Sequence, residues 1–115
     1  MAKDRLFLLK PDFRDGTAGP FYCPDCAGIE GLLSYYPQMR SALDVVYVDF
    51  PRPRTSIVSE LGAEHQGCPV LIVQSERAAA LEGLAVQHAQ GRAFLQNVND
   101  IRRYLSAAYA IGSPH

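Results

Sequence analysis

Phe21-Tyr22-Cys23-Pro24-Asp25-Cys26 is the stretch on which the reading of this chain turns. Two thiols stand three positions apart, after an aromatic pair and before the run Ala27-Gly28-Ile29-Glu30-Gly31-Leu32-Leu33. Pro24 suits the first position of a helix, where its missing N–H leaves no bond unmade. Ile29, Leu32, Leu33 and Tyr36 then recur at helical spacing, and Pro37 sets the far limit. A helix from Pro24 to Tyr36 places Cys23 at its N-terminus and Cys26 one turn in, on the same side. A thiolate at that end is favoured by unpaired N–H groups and the helix dipole, and Cys26 is near enough to close a small disulfide ring. The same spacing is half of a zinc site, so the pair alone leaves redox and metal chemistry both open.

The remaining composition narrows the classes. A length of 115 residues suits one compact domain spanning 1–115. A formal charge of -1 gives no pull toward nucleic acid or an anionic membrane. Three cysteines, an odd number, argue against a secreted disulfide framework. The apolar run Leu6 to Leu9 is too short for a signal-peptide core or a membrane span, which points to a reducing cytoplasm. In that compartment a cysteine pair reads as catalytic or metal-binding before it reads as a staple.

Arg5-Leu6-Phe7-Leu8-Leu9 predicts a buried strand, and Pro11 to Pro20 predicts a long loop. Asp44 to Phe50 predicts a second strand, Ser56 to His65 a short helix, and Pro69-Val70-Leu71-Ile72-Val73 a third strand with proline at its first position. The Ala-rich content of Ser75 to Gln90 favours helix, with Gly83 interrupting it. Ala93 to Gln96 predicts a fourth strand. Asn97 then caps a last helix, with Asp100 three residues on, and Gly112 stops it.

The order strand, CxxC helix, strand, helix, Pro-initiated strand, strand, helix resembles the thioredoxin fold over nearly the whole chain. Cys23-Pro24-Asp25-Cys26 with Cys68-Pro69-Val70-Leu71 carries the resemblance. It implies an α/β domain: a four-stranded mixed sheet in the order two, one, three, four, with helices on both faces. It also implies a cis Cys68–Pro69 bond packed against the CxxC. The tail from Gly91 to Leu105 looks like the end of a glutaredoxin or of a glutathione-transferase N-terminal domain. Asn97-Val98 stands where those families carry the acidic-Ser pair that holds glutathione, so glutathione enters only as a candidate co-substrate. Tyr22-Cys23-Pro24-Asp25-Cys26, Val48-Asp49-Phe50-Pro51-Arg52-Pro53-Arg54 and Ile111-Gly112-Ser113-Pro114-His115 look like a small bacterial family known only as a domain of unknown function with this fold.

The resemblance implies a thiol–disulfide oxidoreductase acting on a protein or small-molecule disulfide. Cys23 is its nucleophile, Cys26 its resolving thiol, and Pro69 shapes the groove with Cys68, Tyr22 and Lys10 beside it. No resident cofactor is implied. Asp25 competes with a thiolate for the helix end, which favours a reductant over a strong oxidant. Two rivals stand beside this reading: a zinc or iron–sulfur binder using Cys23, Cys26 and Cys68, with His65 near, and a non-catalytic interaction module. Cys68 can also be a small buried apolar group or a second disulfide partner for Cys23. Arg52 and Arg54 read as solvated loop charges, or as an anion site. Ser75 to Gln90 could cover a face or pair two subunits of a homodimer.

Overall fold

In the computed structural model, which describes residues 2–115, the run Arg5–Leu9 is the strand about which the fold is organised; Met1 of the expected 1–115 domain lies outside those residues. Leu6, Phe7 and Leu8 are all buried, as a strand covered on both faces requires. Alternation sorts them: Leu6 and Leu8 enter one core cluster, while Phe7 enters another on the opposite face.

In chain order the elements are β1 (Arg5–Leu9), β2 (Phe13–Asp15), β3 (Ala18–Phe21), α1 (Pro24–Tyr35), α2 (Met39–Ala42), β4 (Asp44–Val48), α3 (Thr55–Leu61), β5 (Val70–Val73), a 3₁₀ turn (Ser75–Leu81), β6 (Gln87–Ala89), β7 (Arg92–Leu95) and α4 (Val98–Tyr109). The main sheet runs β4-β1-β5-β7-β6. β4 is parallel to β1, in register from Arg5 opposite Asp44 to Leu9 opposite Val48, and the other pairs are antiparallel. One face is covered from α1 and α4 by Ile29, Leu33, Ile101, Tyr104 and Leu105. The other is covered from α3 by Ile57 and Leu61, which meet Phe7, Val70, Ile72 and Phe94.

The sheet is therefore mixed α/β with helices on both faces, but it has five strands where four were expected. The extra strand comes from the Ala-rich segment. Only Ser75–Leu81 is helical there, as a 3₁₀ turn, and Gln87–Ala89 adds to the outer edge of β7. A two-residue loop closes that hairpin, with φ of 50° at Gln90 and 75° at Gly91, the pairing a tight mirror-image turn demands. The expected loop Pro11 to Pro20 is likewise a small hairpin of β2 and β3, turning at Gly16 with φ 66°. Phe13 of that hairpin stacks on Phe50 at 4.4 Å, which ties it to the segment after β4.

Asn97 caps α4 as expected, its side-chain oxygen accepting the N–H groups of Asn99 and Asp100. Asp100 does not complete a capping box. Its carboxylate accepts the Ala85 N–H at 3.1 Å and so pins the inserted segment to the helix. In α1, Gly31 is exposed, and a Cβ there would meet nothing within 4 Å. Gly31→Ala is accordingly expected to stabilise the protein by about 0.5–1 kcal/mol, read as a higher urea midpoint at unchanged m-value.

Candidate thiol site

Cys23 is the N-cap of α1, with extended backbone (φ -82°, ψ 114°). Its Sγ accepts the N–H of Cys26 at 3.3 Å, taking the place a serine or aspartate oxygen has in an ordinary cap. Pro24 supplies no N–H, so the sulfur is held directly over the first turn by residue Cys26 itself. Negative charge is best placed there.

Cys26 is 3% exposed and faces the end of β1, where its Sγ accepts the Leu9 N–H at 3.4 Å. Burial pushes its thiol up to about 12, with the Leu9 N–H acting the other way. The inner sulfur thus keeps its proton at neutral pH, and one main-chain donor stands ready when the proton leaves.

Cys68 lies in the loop before β5, half-buried, with its carbonyl oxygen 4.0 Å from the Cys23 Sγ and placed to accept that S–H. The Cys68–Pro69 bond is cis, as the resemblance implies, and Pro69 is buried. Burial pushes the Cys68 thiol up to about 11, and the nearby Arg54 guanidinium opposes this. Arg54 is no solvated loop charge. It is 7% exposed, donating from Nε and Nη2 to the Phe50 carbonyl (3.0 and 2.8 Å) and from Nη1 to the Gln66 carbonyl (2.6 Å).

The fold therefore gathers Cys23, Cys26, Cys68 and Pro69. Two other candidates have partners of their own. His65 packs its ring on Phe94 at 5.0 Å, and Lys10 pairs with Asp49 at 3.0 Å across the ends of β1 and β4. Among the described residues no group of three or more His, Cys, Asp or Glu side chains is arranged to hold a metal ion. Tyr22 is 63% exposed and forms one wall of a cavity of about 260 Å³ beside the thiols, with Leu9, Pro11 and Tyr47 as other walls. Glu30 closes that cavity's rim, accepting the Tyr47 O–H at 2.5 Å and pairing with Arg40. Glu30, Tyr47 and the Leu9 amide had no mark in the sequence as site residues, and Arg54 reads there only as a solvated charge or an anion site.

A family model described as protein of unknown function (DUF3088) matches residues 3–113. The chain belongs to the DUF3088 family. The match contains the whole thiol site of this DUF3088 chain, from Leu9 to Pro69. No curated protein and no solved structure matches it. No helix of the described residues is long and apolar enough to cross a membrane.

The raised thiols make stability depend on pH. A group whose folded value exceeds its unfolded one keeps its proton longer in the native state. Its stabilisation is complete below the ordinary thiol value of 9.0 and is lost as pH rises toward about 12 for Cys26 and about 11 for Cys68. Tyr104 and Tyr109, raised by burial and by the neighbouring Asp4, act in the same direction above 10.0. The reduced protein is expected to lose stability from pH 9 upward, by at most about 1.4 kcal/mol per pH unit for each thiol. Thermal melts across pH 7 to 11 check this, and Cys26→Ala should show a shallower fall than the parent.

Proposed function

We propose that this chain is a cytoplasmic thiol–disulfide oxidoreductase of thioredoxin-like fold, of the glutaredoxin or thioredoxin type. The observation that carries the reading is the Cys23 sulfur at the tip of α1, held by the Cys26 N–H with the buried Cys26 thiol one turn behind. Two further features support it. A cis-proline loop faces that sulfur, and β4-β1-β5-β7 reproduces the expected order two, one, three, four inside the wider sheet.

In the proposed cycle the Cys23 thiolate attacks one sulfur of a substrate disulfide. A mixed disulfide forms, and the first substrate thiolate leaves and takes up a proton. Cys26 then loses its proton and attacks the Cys23 Sγ, its new charge met by the Leu9 N–H. The second substrate thiolate leaves, and the two electrons of the reduced pair end on the substrate. A dithiol reductant restores Cys23 and Cys26. Leu9, Pro11, Tyr22 and Tyr47 would receive an apolar group next to the attacked disulfide, either from a protein or from a small molecule. Glutathione draws no support from Asn97, whose side-chain oxygen is engaged in capping α4.

The test is turnover. The reduced protein, coupled to a dithiol reductant, is expected to speed reduction of a small aliphatic disulfide well beyond the rate of the same concentration of free thiol. Equality with free thiol would overturn the reading. Equilibration with defined dithiothreitol mixtures then gives the potential of the Cys23–Cys26 couple, which the exposed first-turn Asp25 is expected to hold on the reducing side.

A further inference from the structure

We propose that Cys68 is a second resolving thiol for Cys23, giving the protein two alternative intramolecular disulfides, Cys23–Cys26 and Cys23–Cys68. The inference rests on the oxidoreductase reading and extends it to a residue outside the CxxC.

Two independent features of the fold carry it. The first is position. The Cys68 carbonyl oxygen lies 4.0 Å from the Cys23 Sγ, and both side chains pack against the same core cluster. The second is Arg54. A guanidinium has five N–H donors. Three contacts go to the main-chain carbonyls of Phe50 and Gln66, and the Arg54 charge lies near enough to Cys68 to favour its ionised form. Among the described residues no carboxylate pairs with this cation, although it is 7% exposed. A buried charge needs a counter-charge. Burial keeps the resting Cys68 thiol protonated, but when it ionises during exchange Arg54 supplies the opposite charge, whereas a Cys26 thiolate would have only the Leu9 N–H.

The step balances without any added oxidant beyond the substrate disulfide. Cys23 carries one half of the substrate, R, as a mixed disulfide. The Cys68 thiolate attacks the Cys23 Sγ. The Cys23–Cys68 bond forms, the bond to R breaks, and R leaves as a thiolate that takes a proton from water. Starting instead from Cys23–Cys26, the same attack expels Cys26 as thiolate, which is reprotonated, and there is no net oxidation.

Removing Cys26 isolates the second route. Cys26→Ala, with Cys26→Val as the alternative apolar replacement should the first not fold, is treated with glutathione disulfide, quenched in acid and digested with trypsin. Cys23 then lies in the peptide Asp15–Arg40 and Cys68 in Thr55–Arg77, so a Cys23–Cys68 bond joins two peptides that are otherwise separate. The expected result is that the joined pair is the main oxidised product. In Cys26→Ala/Cys68→Ser the glutathione should stay on Cys23, with a lifetime longer by a factor on the order of ten or more. Glutathione persisting on Cys23 in Cys26→Ala, with Cys68 still open to alkylation, overturns the proposal and leaves the oxidoreductase reading standing. If Cys23 accepts glutathione in no variant and the parent forms no Cys23–Cys26 bond, both fall.

Discussion

Cys23→Ser is expected to lower disulfide reduction by at least about a thousandfold while leaving the protein as stable as before, or slightly more so. The two halves of that expectation come from the same atom. The Sγ of Cys23 caps α1 by accepting the Cys26 N–H. Serine is among the preferred N-cap residues, and its shorter, more polar oxygen accepts that N–H better than sulfur does. The helix start is therefore kept. Chemistry is not, because an alcohol at neutral pH supplies no anionic nucleophile and forms no disulfide. Urea unfolding and turnover, measured on one preparation, separate the roles. A variant that keeps activity would remove Cys23 from the mechanism. A variant that loses activity together with several kcal/mol would mean that the pair is structural. Cys26→Ser behaves differently, since it puts a hydroxyl where the parent has a 3%-exposed thiol in the core. It is expected to cost about 1–3 kcal/mol, reduced to the extent that the Leu9 N–H satisfies the new oxygen.

What could be read from the sequence was what depends on neighbours in the chain. Pro24 at the first helical position and the 3–4 spacing of Ile29, Leu32 and Leu33 are local signals, and they locate the Cys23 cap to the residue. The β-branched runs at Val45–Val48 and Val70–Val73 are equally local. The fifth strand was hidden because Gln87, His88 and Ala89 form a short edge strand with no β-branched residue, behind an alanine run that promotes helix. The β2–β3 hairpin was hidden by Gly19 and Pro20, which argue against strand, although Asp15-Gly16 is a turn dipeptide. Arg54 was misjudged for another reason. Its side-chain partners are main-chain carbonyls of Phe50 and Gln66, and nothing in a residue's identity announces where a carbonyl will point. The grouping of Cys68 with Cys23 was legible only through the resemblance, since no local pattern links residues 45 positions apart.

Asp4→Ala is expected to be the most destabilising single change outside the thiol site, at about 3–5 kcal/mol. Asp4 had no role in the sequence reading, yet it is 0% exposed and joins both ends of the chain. Its Oδ2 accepts the hydroxyls of Tyr104 and Tyr109, the latter at 2.7 Å, and its Oδ1 accepts the Gln74 N–H at 2.8 Å, with the Arg77 guanidinium 3.7 Å away. The Asp4 carbonyl also receives the Asp44 N–H at 2.9 Å, the bond just before the β1–β4 ladder begins. Truncation at Cβ leaves the buried Tyr104 hydroxyl and the Gln74 N–H without their acceptor and Arg77 with Glu76, 3.6 Å away, as its remaining counter-charge. Few single domains have more than 5–15 kcal/mol in hand, so a loss of this size should be visible as a large drop in urea midpoint. Asp4→Asn keeps the volume and one acceptor oxygen, and is expected to lose less. Its comparison with Tyr109→Phe and the double variant gives the coupling directly, because a shared bond can be lost only once. The site lies before β1, whereas Cys26 touches its far end at Leu9, about 16 Å away at 3.3 Å per strand residue. Disulfide turnover per folded molecule should therefore be unchanged in Asp4→Asn at a temperature where it remains folded. A variant within about 1 kcal/mol of the parent but impaired in turnover would reverse that assignment, and would make the buried carboxylate part of the chemistry instead of the clasp that closes the sheet.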